Sequence, residues 1–465
     1  MIIEQFEDPQ LSHYSYALLQ KEPQEIILID PSRNTAPYLS FAARHGAKIV
    51  GVIETHPHAD FVSSHLELQQ IAGATLYASS LTGATYPHQA FDEGDTIRLG
   101  KTLLRALNTP GHSPDSICIV LQQEEKDRAV FTGDTLFIGD CGRPDLREKA
   151  GNLQASRQSL AAQMYHSLRD KLMTLEDKVI VYPAHGAGSL CGKSLSAAGS
   201  STIGAEKATN WCLQRMTEDE FSKELLSEQP FIPKYFGYDV ELNKTGAPSL
   251  QHSLAKIPVR TWKKTGGQEG LPGDNPGLDP KYYVIDTRDQ ASFTAGHLKN
   301  SIHLMQQGKF ETWLGSIIAP HEKFYLVADS NFQLQEMMKR AASIGYEPQI
   351  EQAIILETEE LPATGSSTLE STQPLDVTAF TAHKDDFTIV DVRNIAERKE
   401  HPIFADSLGI PLGELRERAG EIPLNKPVVF HCAGGYRSAA GSSLFQAIRK
   451  EKIPVFDMGP AIKNF

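Results

Sequence analysis

The sequence has little positive charge and no long apolar run. Its 465 residues carry 45 Lys and Arg against 58 Asp and Glu, a formal net charge of -13, so the basic surface of a nucleic-acid-binding protein is not expected. No apolar stretch approaches the roughly 18 residues that a membrane span needs. The acidic start, MIIEQFEDPQ, does not resemble a signal peptide. We therefore expect a cytoplasmic protein that binds neither nucleic acid nor membrane.

Cysteine is also scarce. The five cysteines are Cys118, Cys141, Cys191, Cys212 and Cys432. An odd number of scattered cysteines is typical of reduced thiols rather than of a disulfide framework. What the chain does have is the 40% hydrophobic and 22% charged composition of a globular protein, at a length that suggests about three domains.

Two stretches rich in Gly, Pro, Ser and Thr divide the chain, at 264–280 and 361–374. They predict domains over 1–250, 251–355 and 375–465. The last two segments look like diverged copies of one unit, because each has an apolar strand ending in Asp-x-Arg and later a strand followed by an amphipathic helix. Alternating strands and helices predict parallel α/β sheets.

The first segment alternates apolar runs with turns. We predict buried strands over 25–30, 47–55, 102–107, 129–137 and 177–185. Residues 153–175 have the apolar spacing of an amphipathic helix. The first segment is therefore also α/β.

Histidine and carboxylate residues follow several of these strands. The run THPHADF begins at Thr55, and GH, GD and AH pairs follow later strands. The residues concerned are His56, His58, Asp60, His112, Asp134 and His185. Imidazole and carboxylate groups suit Zn(II) or Fe(II), and loops at strand ends leave them free to converge. A lone histidine at a strand end is usually a surface residue, but this ordered set predicts a metal site.

In this order the motifs resemble the metallo-β-lactamase superfamily, an αβ/βα sandwich, over about residues 1–190. Members with two metal ions carry HxHxDH, whereas this sequence has Phe61 in the last position. Phenylalanine cannot bind a metal, which weakens the resemblance to two-metal hydrolases of the glyoxalase II type. What remains, together with GDTLFIGDCGRPDL at 133–146, resembles the persulfide dioxygenase branch.

That resemblance implies one Fe(II) per chain, for which Zn(II) could substitute, with open positions for oxygen chemistry. The implied ligands are His56, His112 and Asp134. His58, Asp60 and His185 would support these ligands by hydrogen bonding. The implied reaction is oxidation of a low-molecular-weight thiol persulfide by O2 to sulfite and thiol. No motif chooses among glutathione, coenzyme A and bacillithiol as the thiol.

Three further residues are candidates near this site, each with an alternative. Arg143 could bind an anionic part of the thiol carrier or form a structural salt bridge. Tyr182 could reach the site through its hydroxyl or lie in the core. Cys191, in the loop GAGSLCGKSLS, could relay sulfane sulfur. Because Lys193 is the only basic residue beside it in the sequence, a buried structural thiol is favoured there.

Cys432 lies in VVFHCAGGYRS, where an apolar run precedes a glycine-containing loop and a helix predicted to begin near Ser438. Backbone N–H groups of such a loop, together with the helix N-terminus, favour a nucleophilic thiolate. Arg437 would bind an oxyanion. The spacing C-x4-R resembles the active loop of rhodanese sulfurtransferases, whereas phosphatases of similar design have C-x5-R. The resemblance implies transfer of sulfane sulfur between sulfite and thiosulfate at Cys432.

The middle copy departs from this pattern. Asp329 stands where the cysteine would be and Leu334 where the arginine would be, so this copy is predicted to be catalytically silent and to act as a spacer or docking surface. His297, in AGHL, is predicted to be structural. Below, residues 251–355 are called the silent copy and residues 375–465 the active copy.

The sequence therefore predicts a multidomain α/β enzyme that couples persulfide oxidation to sulfur transfer in sulfide detoxification. One rival is a Zn-dependent thioester hydrolase with an appended sulfur-transfer module, and a non-enzymatic rival is a sulfide-sensing or binding module. The oligomeric state stays open, with a homodimer or a higher homo-oligomer as the default.

Overall fold

The computed structural model describes residues 1–147, 156–193, 195–262, 278–356, 369–449 and 453–465. They form two compact units, Met1–His252 with Ala342–Gly345, and Ser253–Ala341 with Tyr346–Phe465. Most of the predicted linkers, at 264–280 and 361–374, lies outside the described residues. Within the described residues, no helix has the length and apolar character that crossing a bilayer requires.

The described residues of the first unit form twelve strands. They are β1 (Ile2–Asp8), β2 (His13–Gln20), β3 (Glu25–Ile29), β4 (Lys48–Ile53), β5 (Thr75–Ala78), β6 (Gln89–Ala90), β7 (Thr96–Leu99), β8 (Thr102–Asn108), β9 (Ile117–Gln123), β10 (Lys126–Gly133), β11 (Ile180–Pro183) and β12 (Ser201–Thr202). The helices are α1 (Ala36–His45), α2 (His65–Ala72), α3 (Arg157–His166), α4 (Ile203–Thr209), α5 (Glu218–Leu226), α6 (Phe236–Thr245) and α7 (Leu250–Ala255), which continues into the second unit.

These strands form two six-stranded sheets, ordered β1-β2-β3-β4-β5-β6 and β12-β11-β10-β9-β8-β7. Apolar side chains from both sheets share one core cluster, while a second cluster joins the first sheet to α1 and α2 and a third joins the other sheet to α3 and α5. The unit is therefore a four-layer sandwich with helices outside two face-to-face sheets. Strands such as β3 read as continuous apolar runs because both faces are covered.

All five predicted strands are present, with ends that differ from the prediction by one to four residues. The run 129–137 was predicted as a strand throughout, whereas β10 ends at Gly133 because this glycine adopts a φ of 51° and the chain turns there. The helix predicted over 153–175 is regular only in α3, and a wider turn follows at Ser167–Lys171 with a tighter one at Leu172–Thr174. Residues 153–155 of that prediction lie outside the described residues.

The described part of the second unit contains eleven strands and seven further α-helices. The strands are β13 (Val259–Trp262), β14 (Tyr283–Asp286), β15 (His297–Leu298), β16 (Ser301–His303), β17 (Phe324–Ala328), β18 (Ile350–Leu356), β19 (Leu369–Glu370), β20 (Thr388–Asp391), β21 (Leu408–Gly409), β22 (Val428–His431) and β23 (Val455–Asp457). The helices are α8 (Gln290–Ala295), α9 (Phe310–Ile317), α10 (Asn331–Ser343), α11 (Val377–Ala382), α12 (Ile395–Glu400), α13 (Leu415–Arg418) and α14 (Tyr436–Ile448).

Two separate parallel sheets organise this unit, with strand orders β13-β18-β17-β14-β16 and β21-β20-β22-β23. The short strands β15 and β19 pair apart from both. In each parallel sheet a strand ending in Asp-x-Arg lies beside the strand that leads into the long helix, α10 or α14. The parallel α/β arrangement predicted from the sequence is therefore present in both copies.

Candidate metal centre

Three predicted ligands meet at one end of the sandwich. His56 follows β4, His112 follows β8 and Asp134 follows β10. Asp134 Oδ2 lies 3.4 Å from His112 Nε2 and 3.8 Å from His56 Nε2, and all three side chains are buried. These distances between donor atoms are compatible with one metal ion among them.

Each of the two histidines is oriented by a hydrogen bond at its other ring nitrogen. His112 Nδ1 donates to the backbone carbonyl of Arg143 at 2.9 Å. His56 Nδ1 donates to Thr55 Oγ1 at 3.0 Å, because the Thr55 hydroxyl itself donates to Asp30 Oδ2 at 2.8 Å. Both Nε2 atoms face Asp134. Hydrogen bonds at the other ring nitrogen are the supporting contacts typical of metal-binding histidines.

Two glycines make the close approach of these segments possible. A Cβ on Gly133 would lie 2.7 Å from Thr55 Oγ1, and a Cβ on Gly142 would overlap the backbone oxygen of Asp134 and press on His112. Gly133 also has the positive φ that brings Asp134 out of β10. The glycines of the GD and CGR motifs are thus part of the architecture of the site.

A second donor set lies on the other side of Asp134. His185 Nε2 lies 3.4 Å from Asp134 Oδ1 and 3.3 Å from Asp60 Oδ2, while His185 Nδ1 donates to the Ser12 carbonyl. Cys191 Sγ joins Asp60 and His185 within 4.8 Å. Burial, and then the charges of Asp60 and Asp134, raise the pKa of the Cys191 thiol well above its usual range. Cys191 is buried, as the sequence favoured, but it borders the metal centre.

Phe61 fills the position where two-metal relatives would have a histidine. Its buried ring stacks on His58, with ring centroids 4.2 Å apart, and lies 3.8 Å from the ring of His13. His58 Nε2 faces Asp30 Oδ1 at 3.2 Å and Glu54 Oε2 at 3.5 Å. Burial alone would lower the pKa of His58, but these two carboxylates raise it well above its usual range. His58 therefore lies in a buried cluster with Asp30 and Glu54, apart from the His56, His112 and Asp134 set.

Two predicted substrate residues are engaged elsewhere in the fold. The buried Arg143 guanidinium pairs with both carboxylate oxygens of Asp145, at 2.7 and 2.6 Å, and donates to the Leu190 carbonyl. This is the salt bridge that the sequence left open. The Tyr182 ring stacks on Phe131 with centroids 5.2 Å apart, at the core between the sheets. Roles of Arg143 and Tyr182 in substrate binding stay predictions.

Several supporting residues escaped the sequence analysis. Thr55 and Asp30 could have been found, because each is a polar residue just after a strand, β4 and β3 respectively. Asn243 on α6 carried none, although its side chain donates to the carbonyls of His58 and Phe61 at 2.8 and 2.7 Å and accepts from the Ser63 amide. It holds the loop that carries His56 and His58 from a point about 180 residues away.

The residues present fit a metal ion. Both carboxylate oxygens of Asp134 and Nε2 of His185 are buried and make no hydrogen bond within the described residues. Buried polar atoms without hydrogen bonds are costly, and a cation among these atoms would remove that cost. Imidazole and carboxylate donors suit Fe(II) and Zn(II) alike.

The C-terminal thiol lies in a turn of the kind that the sequence predicted. Cys432 is buried, and its Sγ accepts a hydrogen bond from the Gly435 amide at 3.1 Å. The helix after it, α14, begins at Tyr436, two residues earlier than predicted, so its N-terminus is closer to the thiol. Arg437 pairs with both oxygens of Glu397, at 2.5 and 2.8 Å. Glu397, on α12, is a partner that the sequence analysis missed.

The Asp-x-Arg motifs adopt the same geometry in both copies. Arg288 and Arg393 each grip the aspartate two residues earlier through Nε and Nη2, with Nη2–Oδ2 distances of 2.6 Å in both. In the silent copy two residues, Asp329 and Ser330, separate β17 from α10, whereas four residues separate β22 from α14. The loop that surrounds Cys432 therefore has no counterpart of equal length in the silent copy.

Two other residues that the sequence pointed to in the silent copy, Leu334 and His297, lie in its core. Leu334 is fully buried, and His297 donates from Nδ1 to the Phe293 carbonyl while its ring stacks on Phe293. A hydrogen-bonded and stacked histidine has a structural environment.

Comparisons with known proteins place the first unit. The family model for the metallo-beta-lactamase superfamily matches residues 10–185. The mitochondrial persulfide dioxygenase ETHE1 of Mus musculus is 33% identical over 187 residues, which cover 40% of this chain and 68% of that protein. The cytoplasmic hydroxyacylglutathione hydrolase of Arabidopsis thaliana is 31% identical over 259 residues, covering 54% of this chain and 92% of that protein.

Among solved structures, a metallo-beta-lactamase from Staphylococcus aureus superposes with a TM-score of 0.66 at 28% identity, covering 77% of this chain and 99% of that one. The sandwich predicted for the N-terminal part is thereby confirmed. Through that part, this chain belongs to the metallo-β-lactamase superfamily.

Proposed function

We propose that the first unit oxidises a low-molecular-weight thiol persulfide with O2, using one Fe(II) held by His56, His112 and Asp134. The observation that carries the proposal is Phe61, whose ring fills the place of a second-metal ligand and stacks on His58. A three-ligand face then remains, as mononuclear Fe(II) oxygen chemistry requires. The relative from Mus musculus, named a persulfide dioxygenase, supports the same choice.

In this proposal the ion, when bound, would activate O2 and bind the persulfide sulfur. The chain's own contribution is positioning and charge. Thr55 and the Arg143 carbonyl fix the two imidazoles, and the buried Asp134 carboxylate supplies the negative charge. His185 Nε2 and Asp60 Oδ2 face each other at 3.3 Å at the edge of the site, where they would add charge beside the ion. The balanced reaction is RSSH + O2 + H2O giving RSH, sulfite and two protons.

A second candidate is a Zn-dependent thioester hydrolase, and one observation favours it. Asp60, His185 and Asp134 Oδ1 still lie together beside the first donor set, as a two-metal site would need. The relative from Arabidopsis thaliana, named a hydroxyacylglutathione hydrolase, is compatible with this reading. Glutathione-type thiols would be the carriers in either case.

Metal titration followed by a substrate test separates the two. Apo-protein is titrated anaerobically with Fe(II) and separately with Zn(II), and each form is then given glutathione persulfide with O2 or lactoylglutathione. One Fe(II) per chain with persulfide-dependent O2 uptake supports the dioxygenase. Two Zn(II) per chain with thioester hydrolysis supports the hydrolase.

We further propose that 251–355 and 375–465 are rhodanese-like domains, of which only the second is active. Its Cys432 would carry sulfane sulfur as a persulfide and pass it to sulfite, forming thiosulfate, or run in reverse. The Gly435 amide at 3.1 Å from Sγ and the start of α14 at Tyr436 support a thiolate there. The Arg437–Glu397 pair sets Arg437 beside the loop, where it would bind an oxyanion.

Cys191 stays a predicted relay for sulfane sulfur. Its place beside Asp60 and His185 supports a role at the metal centre, whereas its raised pKa disfavours the nucleophilic thiolate. Replacing Cys191 with serine and following the persulfide on the chain by mass spectrometry would decide between these.

A further inference from the structure

One side chain of the Cys432–Arg437 loop reaches out of its own copy. The hydroxyl of Tyr436 donates to the backbone carbonyl of Met305, in the silent copy, at 3.1 Å. Burial raises the pKa of that hydroxyl, as expected for a group enclosed by protein. Tyr436 directly follows Gly435, whose amide donates to Cys432 Sγ, so the position of Tyr436 sets the position of that amide.

The silent copy receives the Tyr436 ring on a glycine. A Cβ added to Gly308 would lie 3.0 Å from both Cδ2 and Cε2 of Tyr436. Gly308 also has a φ of 99°, which side chains with a Cβ rarely adopt. Residues 305–308, called the 305–308 loop, therefore form a socket whose shape depends on glycine at this position.

The socket is held rigid from inside the silent copy. Arg340 on α10 donates to the carbonyls of Gln306 and Gly308, the latter at 3.1 Å. The same guanidinium pairs with both carboxylate oxygens of Glu311 on α9, at 2.5 and 2.7 Å. Residues from two helices, α9 and α10, thus fix the backbone that contacts Tyr436.

Further contacts tie the two copies together around α14. The His303 amide, at the end of β16, donates to Ser443 Oγ on α14 at 2.9 Å. Arg416 on α13 pairs with both oxygens of Glu322 at 2.6 and 2.7 Å. Helix α14, which has the thiol loop at its N-terminus, therefore contacts the silent copy at Ser443 as well as at Tyr436.

We propose that the silent copy completes the sulfur-transfer site: its 305–308 loop fixes Tyr436, which aligns the backbone N–H groups around Cys432. Tyr436 is a positioning residue, because it acts through the loop backbone. The inference rests on the sulfur transfer proposed for Cys432. The silent copy would then have a function although it has no cysteine at the position of Cys432.

The test is made on the full chain with Tyr436→Phe, which removes only the hydroxyl. Iodoacetamide alkylation of Cys432 is followed by mass spectrometry from pH 5 to 10, and sulfur transfer from thiosulfate is measured for kcat and KM. Loss of one hydrogen bond should slow alkylation at pH 7 and lower kcat by about five- to tenfold. The alkylation profile should move to higher pH, with KM for thiosulfate little changed.

Tyr346→Phe is the matched control. Its hydroxyl also donates to a backbone carbonyl, that of Ile318 at 2.9 Å, but inside the silent copy. If both variants show the same pH profile and kcat, Tyr436 has only a structural role and the proposal is wrong. Gly308→Ala gives a second route, since it should reproduce the Tyr436→Phe profile if the socket positions the loop.

Failure of the proposed sulfur transfer can be distinguished from failure of the proposed positioning by Tyr436. Alkylation reports on the Cys432 thiol whether or not sulfur is transferred. A shifted alkylation profile in a protein that never transfers sulfur would refute the proposed sulfur transfer and keep the positioning. An unshifted profile with intact transfer would refute the positioning alone.

Discussion

Asp134 sits between two donor sets, with Oδ2 toward His56 and His112 and Oδ1 toward His185. Whether the site takes one metal ion or two therefore depends on what stands beyond Oδ1. There the chain offers Asp60, His185 and Cys191, but Phe61 in place of a further imidazole. At the scale of single residues, the proposed function makes this one aromatic ring the feature that distinguishes oxygenation from hydrolysis.

Phe61→His tests that choice directly. An imidazole beside Asp60 and His185 would add the missing donor, so we expect metal content to rise from about one to about two per chain at saturating Zn(II). Persulfide-dependent O2 uptake should fall in the same variant. Phe61→Leu serves as the control, since it removes the ring without adding a donor. A metal content that stays at one in Phe61→His would show that Phe61 does not limit the site.

Asp457 offers a pH test away from the metal. Burial raises the pKa of Asp457 to about 6, and hydrogen bonds from Ser438 and the Gly459 amide oppose this only in part. The folded pKa exceeds the unfolded value of about 3.9, so this group stabilises the fold below about pH 4 and that contribution is lost as pH rises through 6.

Asp457→Asn should therefore be more stable than the parent protein at pH 7, by about 2 kcal/mol, with a smaller difference at pH 4.5. Thermal unfolding at the two pH values measures the free-energy difference. Asp385→Asn, at an exposed aspartate of the same copy, should show no such trend. A difference that grows as the pH falls would contradict the raised pKa of Asp457.

At the scale of elements, apolar runs were enough to find β3, β4, β8, β10 and β11, because buried strands leave a clear pattern. The edge strand β1 and its neighbour β2 were missed, and in β2 the reason is that His13–Gln20 mixes polar and apolar residues. The end of β10 was placed too late, because the sequence does not show that Gly133 adopts a positive φ.

The candidate site divides in the same way. Its donors could be predicted because they follow strands in a recognisable order. Their supports could not, since the Arg143 carbonyl is backbone, and Asn243 and Glu397 reach their partners only through the fold. The acidic neighbours of Cys191 could not be predicted, because Asp60 and Asp134 come from distant strand ends.

Cys432→Ser tests the thiol loop as an element. Serine keeps the hydrogen bond from the Gly435 amide but cannot carry sulfane sulfur. Thiosulfate formation from sulfite and glutathione persulfide, which leaves glutathione, should therefore fall at least about a hundredfold. Persulfide-dependent O2 uptake should be unchanged. Cys118→Ser is the control, because Cys118 is a buried thiol in the core of the first unit. Enzymatic thiosulfate formation that survives in Cys432→Ser would exclude the proposed role of this residue.

At the scale of the whole molecule, two chemistries are assigned to separate sites on one chain. In the proposed function the metal centre would use imidazole and carboxylate donors, and the thiol loop would use the Gly435 amide at Cys432. Removal of metal with a chelator should therefore abolish O2 uptake while leaving transfer from thiosulfate at Cys432 within about twofold. Parallel assays before and after chelation, with Fe(II) added back, make the measurement. Loss of both activities on chelation, restored together by Fe(II), would mean that the two sites are not independent.

The central claim is that the first unit oxygenates a persulfide at one Fe(II). The most direct measurement gives the Fe(II)-reconstituted full chain glutathione or coenzyme A persulfide in an oxygen electrode, with sulfite plus thiosulfate determined at the end. We expect one O2 to be consumed for each molecule of sulfite or thiosulfate formed, and no O2 uptake when His112 is replaced by alanine. Absence of persulfide-dependent O2 uptake by the iron-loaded protein would contradict the central claim.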